Sequence, residues 1–139
     1  MRVLFDTDVI LDVLLDRPGF VEPASALWEA SQEGRVDAYI SAITPVNVFY
    51  IARKLKGLKT ARYAVEELLA AFRVCAVDHR ALQAALSLPL RDYEDGVQVA
   101  SALASQLDAI VTRNVRDYEK AAFPVFSPPE LLARLADLP

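Results

Sequence analysis

Short apolar runs alternate along this chain with longer stretches of helical spacing. Residues 2–5 (RVLF) run apolar until Asp6 stops them, and read as a buried strand. Over 7–15, Val9, Leu11, Val13 and Leu15 are set among Asp8, Asp12 and Asp16, which reads as a helix whose acids form a solvated face. A second helix is predicted over 22–33, closed by Gly34, then a strand at 36–40 (VDAYI) and a helix over 44–56 that ends at Gly57. Another helix follows over 60–72, and RVCAV at 73–77 reads as a strand, with Asp78 capping a short helix to residue 87. Over 93–107, Val97, Ala100, Leu103, Ala104 and Leu107 share one helical face. AIVT at 109–112 is a strand, followed by a turn, a short strand near 124–126 and a last helix from Pro129. Strands that are short, apolar and unalternating, with helices between them, predict one α/β domain over 1–139 with a parallel sheet covered on both faces. Trp28 and Phe49 are assigned to the core, as is Cys75 in mid-strand; His79, at a helix start with no partner set, is given no role.

Composition narrows the class. With 139 residues and 54% apolar content the chain can bury a real core and is not disordered. A single cysteine excludes an internal disulfide and suits a reducing compartment. Asp6 and Asp8 interrupt the first apolar run, and no run approaches the ~18 residues of a membrane span, so the expectation is a soluble cytoplasmic protein with no membrane attachment. The net charge of −4 does not by itself suggest nucleic acid, although an acidic site can sit beside a local basic patch. Neither GxGxxG nor GxxxxGK[ST] occurs among the four glycines, so no nucleotide cofactor is expected.

Ligands of open parallel sheets bind outside the carboxyl ends of the strands. Asp6 and Asp8 follow the first strand; Ser41, Thr44 and Asn47 follow the second; Asn114 and Asp117 follow AIVT; and the helix at 93–107 opens with Asp92, Glu94 and Asp95. Three places can therefore deliver acidic oxygens to one edge of the sheet. Two carboxylates at ~4 Å repel by ~4 kcal/mol at an effective dielectric of ~20, so a convergent set calls for a cation or raised pKa values. Hard cations such as Mg²⁺ and Mn²⁺ prefer these oxygens, activate water and neutralise phosphodiester charge. The plainer role for Asp6 and Asp92 is helix N-capping, and for Asp95 a first-turn acid facing the helix dipole.

The motifs, in order, resemble the PIN-domain family. VLFDTDVILDVLL is similar to its first motif, ISAITPVN to its second, DYEDGVQVASAL to its third and AIVTRNVRDY to its fourth, and the likeness covers nearly the whole chain. It looks closest to the bacterial toxin-like branch with VapC-type ribonucleases. The resemblance implies a three-layer α/β/α sandwich, Mg²⁺ or Mn²⁺ dependence, hydrolysis of RNA phosphodiesters, a small antitoxin as partner and a homodimer. It matches Asp6 to the first family carboxylate and Asp95 to the third, with Asp92 one helical turn earlier as a further metal ligand. The second motif usually ends in Glu, where this chain has Asn47. The fourth usually has Asp directly after Thr-Arg, where this chain has Asn114, with Asp117 nearby. An amide can ligate through oxygen but brings no charge and cannot act as a base at neutral pH. The implied catalytic set is Asp6, Asp95, Asp117, Asn114 and Asn47; Thr44, Thr112, Arg113 and Arg116 form the substrate-contact set, the two arginines for phosphate. The basic residues Arg53, Lys54, Lys56, Lys59 and Arg62 read as an ordinary solvated turn.

Two rival readings stand beside this one. VLFDTDVI also resembles the opening of haloacid-dehalogenase-like phosphatases, with Asp6 as nucleophile and Asp8 as acid–base, but no suitable Lys follows and the chain is short for that fold. The amides at 47 and 114 suit a non-catalytic PIN-like module that binds RNA or a protein.

Overall fold

The computed structural model describes residues 1–138. Its elements are β1 (Arg2–Phe5), α1 (Thr7–Leu14), α2 (Val21–Gln32), β2 (Asp37–Ser41), α3 (Thr44–Lys56), α4 (Leu58–Ala71), β3 (Arg73–Cys75), α5 (His79–Leu86), α6 (Tyr93–Ala104), β4 (Ala109–Val111), a 3-10 helix (Val115–Ala121), β5 (Val125–Phe126) and α7 (Pro128–Ala136). The five strands form one parallel sheet in the order β3-β2-β1-β4-β5. The chain builds outward from β1 to β3, then returns to the other side of β1 with β4. The order therefore reverses between β1 and β4, where Val3, Leu4 and Phe5 pair with Ala109, Ile110 and Val111.

Alternation along these strands sorts the side chains into two cores. Val3 and Phe5, Ala38 and Ile40, and Ala109 and Val111 pack against α1, α2, α3, α4 and α7. Leu4, Tyr39 and Ile110 point the other way, onto Val99 and Ala102 of α6 and Tyr118 of the 3-10 helix. The result is the expected three-layer α/β/α sandwich, and burial of both strand faces explains why the strands read as continuous apolar runs. Full burial of each large apolar side chain contributes about 1.5–3 kcal/mol before the entropy of ordering is charged.

Several local expectations are corrected. The turn after β4 is a 3-10 helix that buries Tyr118 to 1% exposure. Helix α6 stops at Ala104, because Gln106 takes a left-handed φ of 58° and the Leu107 amide folds back onto the Ala102 carbonyl at 2.9 Å. Leu107 thus enters the second core from outside the helix. Strand β3 is shorter than predicted; as an edge strand it leaves Val74 exposed. Trp28 does join the core edge, packing edge-on against Phe72 at 4.9 Å, whereas Phe49 is only half-buried and meets Tyr50. Asp8 and Asp12 do not form a solvated face: Asp12 is 1% exposed, and only Asp16 is fully at the surface. Gly57 joins α3 to α4 with φ 93°, a conformation that a residue with a Cβ rarely adopts.

Candidate active site

Asp6 is the last residue before α1 and caps it, its Oδ1 accepting the Thr7 amide at 2.7 Å. The rest of its carboxylate is enclosed by side chains from the far end of the chain. Gln98 Nε2 donates to Oδ1 at 3.0 Å, and the Thr112 hydroxyl and the Tyr118 hydroxyl each donate to Oδ2 at 2.9 Å. Four donors fill the four lone-pair positions of the carboxylate. A cation that takes an Asp6 oxygen therefore displaces a donor. Thr112 has an alternative acceptor in Asp8 Oδ2 at 3.2 Å and can release Asp6 at small cost. Gln98 is fully buried, and its carbonyl oxygen is left without a partner while its amide serves Asp6.

Asp8 lies two residues further on, in the first turn of α1, accepting from the Arg113 amide at 3.3 Å and from Asn114 Nδ2 at 3.3 Å. Across the cleft Asp92 caps α6, accepting from the amides of Glu94 at 2.8 Å and Asp95 at 3.4 Å. The capping roles assigned from sequence are thus real, and they coexist with a shared cavity. Asp6, Asp8, Asp92, Glu94, Asp95 and Asp117 all line one open cavity of about 460 Å³, together with Asn47, Asn114 and Arg17. This cavity lies at the carboxyl end of the sheet, where the strand order reverses.

Its electrostatics follow from crowding acids with little countercharge. Burial, then the Asp6 charge, pushes the Asp8 carboxyl up to about 6. Burial, then Asp6 and Asp92, lifts Asp95 to about 7. Asp6 and Glu94 are raised as well, first by burial. Tyr118, between Asp6 and Asp95, is driven far upward by burial and by both carboxylates, so it remains a neutral donor. The donor set is hard oxygen with excess negative charge, which fits a divalent cation. Among the described residues, however, no three His, Cys, Asp or Glu side chains already converge as a chelating group. A cation shared by Asp6 and Asp95 would keep several waters, as Mg²⁺ ordinarily does.

The structure relocates part of the substrate-contact set. Thr44 and Thr112 are fully buried, Thr44 facing the Thr7 hydroxyl at 3.4 Å and Thr112 serving Asp6 and Asp8; both shape the site from behind. The guanidinium of Arg113 is engaged by Asp12 at 3.5 Å and lies over the Phe20 ring at 4.1 Å. Arg116 instead lines a second groove with Arg91 and Lys120, and that groove shares Asp92, Asp95 and Asp117 with the acidic cavity. Sequence reasoning missed Gln98, Tyr118 and Arg17. A glutamine inside the buried run VQVASA was the one available signal for Gln98.

A profile of the PIN-domain family matches residues 2–116. This chain belongs to the PIN-domain family. Among solved structures the PIN domain is similar to FitAcB from Neisseria gonorrhoeae, at 25% identity over 91% of this chain and 97% of that one, with a TM-score of 0.71. It also resembles the DNA-bound VapBC of Salmonella typhimurium, at 19% identity over 92% and 98% of the two chains and a TM-score of 0.73. A third is VapC20 of Mycobacterium tuberculosis, a sarcin-ricin-loop-cleaving toxin, at 15% identity over 87% and 95% with a TM-score of 0.70. These neighbours share the fold of this PIN domain. No curated protein matches the chain. Family membership removes the ground for the phosphatase reading, and with it the acid–base role of Asp8.

Proposed function

We propose that this PIN domain is a divalent-metal-dependent endoribonuclease, the toxin of a toxin–antitoxin pair acting in the cytoplasm. The observation that carries the reading is the acidic cavity between β1 and β4, where Asp6 and Asp95 are desolvated and neither is in an ion pair. Asp6 and Asp95, with Asp92 beside them, would hold Mg²⁺ or Mn²⁺; when bound, the cation supplies charge for a phosphodiester and a water of lowered pKa. Asp117 and the amides of Asn47 and Asn114 line the same space, where Asn114 holds Asp8 and Asn47 holds Glu94. The groove bearing Arg91, Arg116 and Lys120 runs from the shared acids outward and suits a polyanion whose scissile phosphate sits over the carboxylates. The neighbours' toxin–antitoxin character and the exposed Val46, Tyr50, Leu58 and Tyr63 on α3 and α4 support an antitoxin that covers the cleft mouth; Tyr50 itself lines the cavity. A homodimer is part of the same family-based proposal. No described helix is long and apolar enough to cross a membrane.

The test is cleavage of a fluorogenic RNA by the purified chain with Mn²⁺, with EDTA, and with Asp95→Asn. Metal-dependent cleavage lost in Asp95→Asn is the expected result. Binding of RNA without cleavage by the wild type, under any divalent cation, would instead establish the non-catalytic module that the two amides favour.

A further inference from the structure

Glu94 precedes Asp95 in the first turn of α6. A glutamate there needs no side-chain partner, because the helix dipole and water already suit it. This one is turned inward. Its Oε1 accepts from Asn47 Nδ2 of α3 at 3.0 Å, and its carboxylate lines the cavity with Asp6 and Asp95. The side chain is half-buried there, and Asn47 is its hydrogen-bond partner from the facing helix. Among the described residues the basic side chains in ion pairs are Arg17, Arg35 and Arg113, which go to Asp12 and Glu33, so no cation of the protein compensates Glu94.

We propose that Glu94, oriented by Asn47, is an anionic arm of the cation centre, and fills the role that the resemblance assigns to a carboxylate at position 47. The two side chains meet tip to tip. A carboxylate reaching in from either helix therefore ends within about one hydrogen-bond length, ~3 Å, of the same place. The charge missing from α3 has been moved to α6, and Asn47 has become a positioning residue. This rests on reading the cavity as a cation centre.

Free Mn²⁺, counted by its EPR signal, gives the affinity of the folded full chain without any need for turnover. The variants are Glu94→Gln, Asn47→Ala, Asp6→Asn and the exchange Asn47→Glu with Glu94→Gln, each first checked for an unchanged far-UV spectrum. Glu94→Gln should weaken Mn²⁺ about tenfold or more, and Asn47→Ala by less, as for loss of an orienting partner. The exchange variant should return to within about threefold of wild type, which a structural role for the Asn47–Glu94 bond would not produce. Wild-type affinity in Glu94→Gln, or no recovery in the exchange variant, overturns the proposal. If Asp6→Asn loses the ion while Glu94→Gln keeps it, the centre stands and Glu94 falls; if the wild type binds no Mn²⁺, both fall. Mn²⁺ bound as expected but RNA left intact would sink the nuclease reading and leave the assignment of Glu94 in place.

Discussion

Replacing Tyr118 by Phe removes one hydroxyl and almost no volume, and takes a donor from the two carboxylates it serves, Asp6 and Asp95. Tyr118 is 1% exposed, and its hydroxyl reaches Asp6 Oδ2 at 2.9 Å. While Asp6 is ionised this is a hydrogen bond to a charged group, worth about 1.5–3 kcal/mol. Once Asp6 takes a proton, the bond becomes one between neutral groups, nearer 0.5–1.5 kcal/mol. Burial already raises the Asp6 carboxyl, and loss of a donor raises it further. Between pH 5 and pH 8 the cost of Tyr118→Phe should therefore grow as Asp6 ionises, toward about 1 kcal/mol when the change of state is complete. For a domain of this size that difference is roughly 3–4 °C in Tm. Urea melts of both proteins in EDTA at the two pH values measure it, with equal m-values as the check on two-state behaviour. A cost that is equal at both pH values, larger at pH 5, or absent at both would refute the account of Asp6 as a desolvated carboxylate sustained by its donors.

Three further outcomes are expected. The metal-free protein should lose stability as pH rises from about 4 to 7. Asp8 and Asp95 have folded-state values raised to about 6 and about 7, so their contribution is full below the unfolded value and lost on the way up. Thermal melts across this range should show the fall in EDTA and a smaller one with Mn²⁺, whereas stability flat with pH in EDTA would contradict it. Asp12→Ala should destabilise by about 2 kcal/mol in urea titration, less than a fully buried pair would, because Arg17 and Arg113 are 32% and 26% exposed and can turn to water; a neutral change would mean the two ion pairs contribute nothing. In Gly96→Ala the new Cβ would stand 3.1 Å from the Ala85 carbonyl oxygen of α5. Helix propensity, about 1 kcal/mol in favour of Ala, should keep Tm near wild type while the shift at neighbouring Asp95 weakens Mn²⁺ binding.

The sequence was most informative where local physics decides. Asp6 and Asp92 were readable as helix starts because they follow apolar runs or precede periodic ones, and both do cap helices. Alternating strand and helix patterns gave the layers because both strand faces are buried. What was not legible depends on tertiary enclosure. Asp12 has the spacing of a surface acid, yet the segment after α1 and the loop after β4 fold over it and bring Arg17 and Arg113. Arg113 looked available for phosphate until Asp12 and Phe20 were seen to hold it. Thr44 and Thr112, read as substrate contacts, are sealed behind the carboxylates. Asn47 alone looked like a lost charge, and its hydrogen bond to Glu94 joins two helices across 47 residues of the chain.

The donors around Asp6 also set a schedule. Gln98, Thr112 and Tyr118 lie 92, 106 and 112 residues further along the chain. When β1, β2 and β3 have been synthesised, Asp6 exists but the strand edge beside it is open, since its neighbour β4 follows only after α5 and α6. A nascent chain or a C-terminally truncated fragment therefore carries the first acid of the site without the partners that enclose it. Domains emerge from synthesis N-terminal end first, at about 5–20 residues per second, so this centre spends several seconds incomplete. The acids of β1 and α6 would remain apart for that interval, simply because the sheet is completed from its later strands.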